Sequence, residues 1–189
     1  MLEKIIQLDK QLLVFFNGLG SQEYDAFWLF ITKQLHWTPF FIVILFLVYK
    51  KINNWRNFLV IIVSITLLIL ISDQFVNLVK ETFQRLRPCN DLQIKSIIRI
   101  VKSSDTYSFF SGHATNSTAS TVFVFLILKR YYKYAYLLFM FPLIFAYSRI
   151  YLGLHFPIDI LTGYTVGAIF GYTMYKVYLM VLRKYFQIL

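Results

Sequence analysis

Charged residues are scarce in this sequence, and their scarcity excludes most soluble folds. Only 15% of the 189 residues are charged, whereas about 25% is usual in a soluble domain. Hydrophobic residues make up 58% of the chain and aromatic residues 20%, which excludes intrinsic disorder because disordered chains contain few of either. The composition therefore predicts a multi-pass membrane protein, provided that the apolar residues form runs long enough to span a bilayer.

Cysteine is almost absent, and histidine is rare. Cys89 is the single cysteine, so no disulfide can form within the chain. The three histidines, His36, His113 and His155, are too few for most zinc sites without carboxylate ligands, and no Cys/His cluster accompanies them. We therefore expect neither a metal nor another cofactor. The N-terminus also lacks the basic start, apolar run and small-residue cleavage site of a signal peptide.

The net charge is +10, from 19 basic and 9 acidic residues. In a soluble protein this excess would indicate nucleic acid binding. In a membrane protein, however, Lys and Arg collect at loop ends on the cytoplasmic side, and we expect no nucleic acid partner. An anionic substrate is a second explanation, and composition leaves both open.

The apolar residues form runs that predict an all-α integral membrane bundle in a single domain over residues 1–189. Five spans are predicted, at residues 27–49, 58–80, 111–128, 134–148 and 157–182. Residues 1–20 carry four charges in the first ten positions, among apolar residues at helical spacing. This pattern predicts an amphipathic helix at the membrane interface, ended by Gly18 and Gly20.

Five spans place three short basic segments on one side of the membrane. These segments contain Lys50, Lys51, Arg56, Lys129, Arg130, Lys133, Arg183 and Lys184. The positive-inside rule assigns that side to the cytoplasm. The polar segment 81–110 falls on the opposite side and is also basic, so the charge count alone is nearly balanced. The orientation is favoured because the basic residues of 81–110 have a second use, as ligands for an anion.

Ionisable residues inside a membrane are expensive, and the first group of them lies at the end of the second span. Asp73, Asn77 and Lys80 are spaced four and three residues apart, so they share one helical face. A polar seam that satisfies itself between helices explains Asp73 and Asn77 equally well. Arg85 and Arg87 follow; the planar guanidinium is suited to phosphate, although an anchor for lipid headgroups remains an alternative.

A second group, Ser111-Gly112-His113, begins the third span. The free N–H groups of a helix N-terminus form an anion site, and Gly112 allows the backbone to approach an oxyanion closely. The alternative is that Ser111 is only the N-cap of the helix and that His113 lies at the level of the headgroups.

The third group lies between the fourth and fifth spans. His155 and Asp159 are four residues apart and face each other if a helix begins nearby. A carboxylate on one imidazole nitrogen leaves the other nitrogen a better nucleophile or base. A buried pair that only ties the helix entry is the alternative. All three groups fall on the same face of the predicted bundle, where cations, hydroxyls and two histidines suit a phosphoryl group.

The three groups together resemble the tripartite signature of the type-2 phosphatidic acid phosphatase superfamily. The matching residues are Lys80, then after six residues Arg87-Pro88; Ser111-Gly112-His113; and Ser148-Arg149, then after five residues His155, then after three residues Asp159. One position departs from the pattern: the family usually has proline before Ser-Gly-His, and this chain has Phe110. We expect this change to alter the loop that enters the third span.

The resemblance implies a role for each matching residue. His155 would attack phosphorus and form a phosphohistidine, and Asp159 would orient it. His113 would protonate the leaving group and then activate water. The phosphoryl oxygens would be held by Lys80, Arg87, Ser111, Gly112 and Arg149. Members of the family need no metal.

The resemblance also implies a bacterial enzyme of the cytoplasmic (inner) membrane with its active site on the outer, periplasmic face. Its substrate would be a lipid phosphate or pyrophosphate of the undecaprenyl pyrophosphate, phosphatidate, phosphatidylglycerophosphate or lipid A type, entering sideways from the membrane lipids. The spanning runs exclude the soluble haloperoxidase branch of the family. Two alternatives remain: a phosphatase for a soluble phosphate ester, and a non-catalytic lipid-binding or transport protein.

Overall fold

The computed structural model describes residues 1–186, and this part of the chain is helical, with no strand. Its α-helices are α1 (Leu2–Gly18), α2 (Asp25–Ile31), α3 (Thr38–Ile52), α4 (Trp55–Phe83), α5 (Gly112–Leu128), α6 (Met140–Tyr151) and α7 (Pro157–Phe186). Short 3₁₀ turns lie at Gln22–Tyr24, Gln34–Trp37, Pro88–Asn90 and Ala135–Phe139. The prediction of an all-α bundle is confirmed.

The helices are long and apolar enough for an integral membrane protein. Three stretches could cross a bilayer by length and composition: Gln34–Ile52, Trp55–Asn90 and Pro157–Tyr185. The apolar stretch Ala135–Tyr151 is shorter. The 17 residues of α5 extend about 26 Å at 1.5 Å per residue, close to the roughly 30 Å of the hydrocarbon core. Together with α5 and α6, these three stretches make five apolar helical segments, the same number as the predicted spans.

Helix α5 is rich in Ser and Thr, yet it lies in the centre of the bundle against α7. Gly163, Gly167 and Gly171 are spaced four apart on α7 and meet the backbone of α5; a Cβ at Gly167 would lie 2.5 Å from the carbonyl oxygen of Thr115. Small residues at this spacing let membrane helices pack closely. The hydroxyl of Thr115 donates to the carbonyl oxygen of Ser111 on its own helix, at 2.8 Å. The polar side chains of α5 are therefore partly satisfied inside the bundle.

The first predicted span is not one helix. The prediction of a continuous helix over residues 27–49 is wrong, because α2 ends at Ile31 and α3 begins at Thr38. Pro39 stands in the first turn of α3, where it has no N–H to donate and would clash with the preceding turn of a continuous helix. The break leaves Thr32 buried, where it contacts two residues of the site described below.

Helix α1 ends at Gly18, as predicted, but its packing is unusual. Its exposed side chains include Leu2, Ile5 and Phe15, as expected of a helix in contact with lipid. Its buried face instead carries Asp9 and Asn17 beside a buried leucine. The side-chain amide of Asn17 donates to the carbonyl oxygens at the end of α6, at 2.9 and 3.1 Å. Polar contacts thus attach α1 to the bundle.

The two ends of the bundle differ in their chemistry. At one end the predicted basic segments come together: the Lys51 ammonium lies 5.5 Å from the Tyr132 ring centroid, and the Tyr178 hydroxyl donates to Asn57 at 2.7 Å. The ends of α4 and α6 and the starts of α5 and α7 lie at the opposite end. The candidate functional residues are found there.

Candidate active site

A cavity of about 440 Å³ brings most of the predicted site residues together. Lys80, Arg87, Gly112, His113, Arg149 and His155 all line it. The same cavity continues along apolar side chains of α3, α4 and α6, among them Phe41, Ile65 and Phe141. It therefore joins a cationic end to an apolar channel, which suits a molecule with an anionic head and a hydrocarbon tail.

His155 follows α6 and is held from both sides of its ring. Its Nε2 lies 3.0 Å from the Arg87 Nη1, and its Nδ1 lies 3.4 Å from the Asp159 carboxylate and 3.3 Å from the Ser108 hydroxyl. A guanidinium donates and does not accept, so Nε2 is the acceptor and Nδ1 carries the proton. The lone pair of Nε2 therefore lies on the side of the ring that Arg87 contacts, where it accepts this hydrogen bond; a phosphoryl group would have to draw the Arg87 N–H onto its own oxygens before Nε2 could attack.

The pKa of His155 is lowered well below its ordinary value. Burial is the largest cause, and the positive charges of Arg87, Arg149 and Lys80 act in the same direction. Both effects disfavour the imidazolium form. His155 is therefore neutral near pH 7, and the neutral imidazole is the form that acts as a nucleophile.

Asp159 lies behind His155, in the first turn of α7, and is fully buried. One of its oxygens accepts the backbone N–H of Phe156 at 2.9 Å and the hydroxyl of Ser108. The other oxygen accepts a hydrogen bond from Arg85 at 2.7 Å. These donors fix the carboxylate in place, so Asp159 can orient the histidine without itself lining the cavity.

Arg85 extends this network to the N-terminal helix. Its second terminal nitrogen pairs with Asp9 at 2.7 Å, and its guanidinium carbon lies 3.9 Å from the Phe156 ring centroid. Asp9 also accepts the backbone N–H of Ile158 at 2.9 Å. Burial raises the pKa of Asp9, while the hydrogen bonds from Arg85 and Ile158 act in the opposite direction.

His113 and Arg149 meet at the break between α2 and α3. The His113 ring stacks on Phe145 with 4.7 Å between ring centroids, and its Nε2 lies 3.3 Å from the carbonyl oxygen of Thr32. Arg149 donates through Nη1 to the Thr32 hydroxyl at 2.7 Å. Its Nε is buried and has no hydrogen-bond partner among residues 1–186. An anion in the cavity would satisfy this donor.

Ser111 caps α5, as the alternative interpretation stated. Its hydroxyl accepts the N–H of Ala114 at 3.4 Å, its own N–H donates to the carbonyl oxygen of Asp159 at 3.1 Å, and its side chain is fully buried. Gly112 alone of this pair lines the cavity. A direct contact of the Ser111 hydroxyl with substrate stays a prediction.

Sequence reasoning missed several members of the site. Thr32, Ser108 and Asp9 were not selected, because nothing in their local sequence distinguishes them. Asp9 alone has a weak sequence signal: it is a charged residue on the same helical face as Leu13, and this face of α1 is buried. The sequence suggests Arg85 as a phosphate ligand beside Arg87, but in the structure Arg85 pairs with Asp9 and Asp159.

Comparison with known proteins agrees with this geometry. A family model described as the PAP2 superfamily matches residues 58–183. A lipid A 4'-phosphatase of Bacteroides thetaiotaomicron is 34% identical over 180 residues, covering 93% of this chain and 79% of that protein. A lipid A 4'-phosphatase of Porphyromonas gingivalis is 32% identical over 181 residues, covering 94% of this chain and 76% of that protein.

Two crystal structures share the fold. A transmembrane PAP2 type phosphatidylglycerolphosphate phosphatase from Bacillus subtilis superposes with a TM-score of 0.70 at 17% identity, covering 96% of this chain and 89% of that one. LpxE from Aquifex aeolicus superposes with a TM-score of 0.59 at 23% identity, covering 88% of this chain and 93% of that one.

Proposed function

Since the chain belongs to the PAP2 superfamily, we propose that it is a membrane phosphatase that hydrolyses a lipid phosphate through a phosphohistidine at His155. The observation that carries this proposal is the single cavity in which three cationic side chains and a neutral histidine meet an apolar channel. Among lipid phosphates we favour a phosphorylated glycolipid of the lipid A type as the substrate, because both relatives are named lipid A 4'-phosphatases.

The first chemical step is the transfer of the phosphoryl group to the enzyme. The Nε2 lone pair of His155 attacks phosphorus, and the bond from phosphorus to the lipid oxygen breaks. His113 gives a proton to that oxygen, which leaves as an alcohol. Asp159 faces the Nδ1–H at 3.4 Å, so it stabilises the positive charge that the phosphorylated imidazole carries.

The second step returns the enzyme to its starting state. His113 takes a proton from a water molecule, the resulting hydroxide attacks phosphorus, the bond between phosphorus and Nε2 of His155 breaks, and inorganic phosphate leaves. In both steps negative charge develops on the phosphoryl oxygens. Lys80, Arg87 and Arg149 surround that position, and the Nε of Arg149 supplies a donor that no group of the described residues pairs with.

The placement of the three short basic segments supports one location for the reaction, while the basic residues of segment 81–110 lie at the other end beside the cavity. The basic segments lie at the end of the bundle opposite the cavity, and in a bacterial inner membrane such segments face the cytoplasm. We therefore assign the active site to the outer, periplasmic face. The apolar channel would hold the tail of a substrate that enters from the surrounding membrane lipids.

An assay of the inorganic phosphate that the purified protein releases from lipid substrates in detergent tests the function. We expect release from at least one of lipid A, phosphatidate, phosphatidylglycerophosphate and undecaprenyl pyrophosphate, and none from glucose 6-phosphate. The His155→Ala variant should release none and form no phosphoenzyme. Hydrolysis of the soluble ester alone would support the soluble-ester alternative, and equal release by His155→Ala would contradict the assigned nucleophile.

A further inference from the structure

We propose that Asp73, Asn77 and Asn116 form a subsite that selects lipid phosphates whose leaving group carries hydroxyl or amide N–H donors close to the phosphate. This inference rests on the proposed function, since it concerns the choice among lipid substrates. The three side chains line the same cavity as Lys80 and His155. They are named below as the donor-selecting subsite.

The donor-selecting subsite lies one to two helical turns from the phosphate-binding cations. Asp73 precedes Lys80 by seven residues on α4, a separation of about 10 Å along the helix axis. Asn116 follows His113 by three residues on α5, or about 4–5 Å. A group at this depth would meet the part of a lipid that adjoins its phosphate, before the hydrocarbon chains begin.

The carboxylate of Asp73 has unused capacity to accept hydrogen bonds. It accepts from the amide of Asn116 at 3.2 Å and from the amide of Asn77 at 3.4 Å, both longer than usual. No Lys, Arg or His side chain lies within 4.0 Å of it among the described residues. A carboxylate offers about four acceptor positions, so ligand donors have places to bind.

Asn116 is held so that it faces Asp73 with its NH₂ group. Its oxygen accepts the hydroxyl of Ser72, which is buried, and its nitrogen is left to donate to Asp73. A polar seam between helices would instead be closed off from the cavity. Asp73 and Asn77 are exposed, and Ser117 and Ser120 of α5 line the cavity beside them.

The chemistry of the subsite decides between classes of lipid. Near its phosphate, a diacylglycerol phosphate presents ester oxygens, which only accept hydrogen bonds, and a polyprenyl phosphate presents hydrocarbon. An acylated amino sugar presents hydroxyl groups and amide N–H groups at that distance. An ionisable side chain inside a membrane span is expensive, and here the ligand whose donors complement it is the acylated amino sugar.

A different role for Asp73 would be to offset the charge of Lys80, seven residues along the same helix. In that case Asp73 would act through the phosphate-binding cations. Its loss would then affect every phosphate ester to the same extent, whatever the leaving group. The ratio of activities on two lipids separates the two roles.

The test compares kcat/KM for two phosphate monoesters in the same detergent micelles: a phosphorylated, N-acylated glucosamine lipid and dioleoyl phosphatidate. Loss of a hydrogen bond to a charged group should lower the glycolipid-to-phosphatidate ratio about 10- to 100-fold in Asp73→Leu. Asp73→Asn keeps one acceptor oxygen and should lower the ratio less. Asn77→Leu should shift the ratio in the same direction.

Gln74→Leu is the matched control, because Gln74 is exposed at the same depth of α4 but lies outside the cavity lining. It should leave the ratio unchanged. An equal loss of kcat/KM on both lipids in Asp73→Leu would overturn the subsite in favour of the charge-offset role, and an unchanged kcat/KM on both lipids would also overturn it. If the wild-type protein hydrolyses neither lipid but releases phosphate from phosphatidylglycerophosphate or undecaprenyl pyrophosphate, the subsite fails and the proposed function stands; release from none of these lipids overturns both.

Discussion

Replacing Arg85 by leucine should impair catalysis although Arg85 does not touch the cavity. The side chain bridges two fully buried carboxylates, Asp9 and Asp159, at 2.7 Å each. Removing it leaves both carboxylates without their cation. Breaking a buried pair in this way costs about 3–5 kcal/mol, and because Arg85 is 24% exposed we expect the lower end, about 3 kcal/mol of unfolding free energy.

The effect on rate is a separate quantity. Asp159 would lose one charged hydrogen bond, of about 1.5–3 kcal/mol, while keeping those from Ser108 and the Phe156 N–H. If that energy orients His155 in the transition state, kcat should fall about 10- to 100-fold. KM should change little, since Arg85 is absent from the residues that line the cavity.

Kinetics in micelles and thermal unfolding followed by tryptophan fluorescence separate the two effects. The double variant Arg85→Leu/Asp9→Asn removes the stranded charge of Asp9, so it should recover part of the stability without recovering kcat. Lys10→Met is a control, because it removes a more exposed ion pair of the same helix, Lys10–Asp91, and should leave kcat unchanged. A normal kcat in Arg85→Leu, with lowered stability, would refute the positioning role.

Three further predictions address the mechanism and orientation. Orthovanadate, a mimic of five-coordinate phosphorus, should inhibit the enzyme, whereas EDTA should not; activity that EDTA abolishes and a divalent ion restores would contradict the metal-free mechanism that the resemblance implies. With Cys89 replaced, a cysteine at Ser103 should react with an impermeant thiol reagent in intact cells and one at Asn53 should not, and the reverse labelling would move the active site to the cytoplasm. His113→Ala should lower the rate on a lipid phosphate about 10²–10⁴-fold but much less on a nitrophenyl ester, whose leaving group needs no proton; equal losses on both would show that His113 is not the acid.

The family and the chemistry were predictable because their residues act over short stretches of chain. The spacing of Lys80 and Arg87, and the four-residue spacing of His155 and Asp159, depend only on helical geometry and on the chain between them. The resemblance based on these motifs is confirmed by the family match over residues 58–183. The roles of the individual residues remain predictions that the experiments above test.

The support for those residues depended on packing between distant parts of the chain. Asp9 accepts hydrogen bonds from Arg85, 76 residues away, and from the N–H of Ile158, 149 residues away. The Thr32 hydroxyl accepts from Arg149 across 117 residues. No periodicity encodes such contacts, since the partners meet only when α1 docks on α7 and the chain breaks between α2 and α3. Local spacing therefore predicts the residues that we propose to react. Only the close packing of the helices decides which residues hold them, because a buried charge requires a partner wherever the fold provides one.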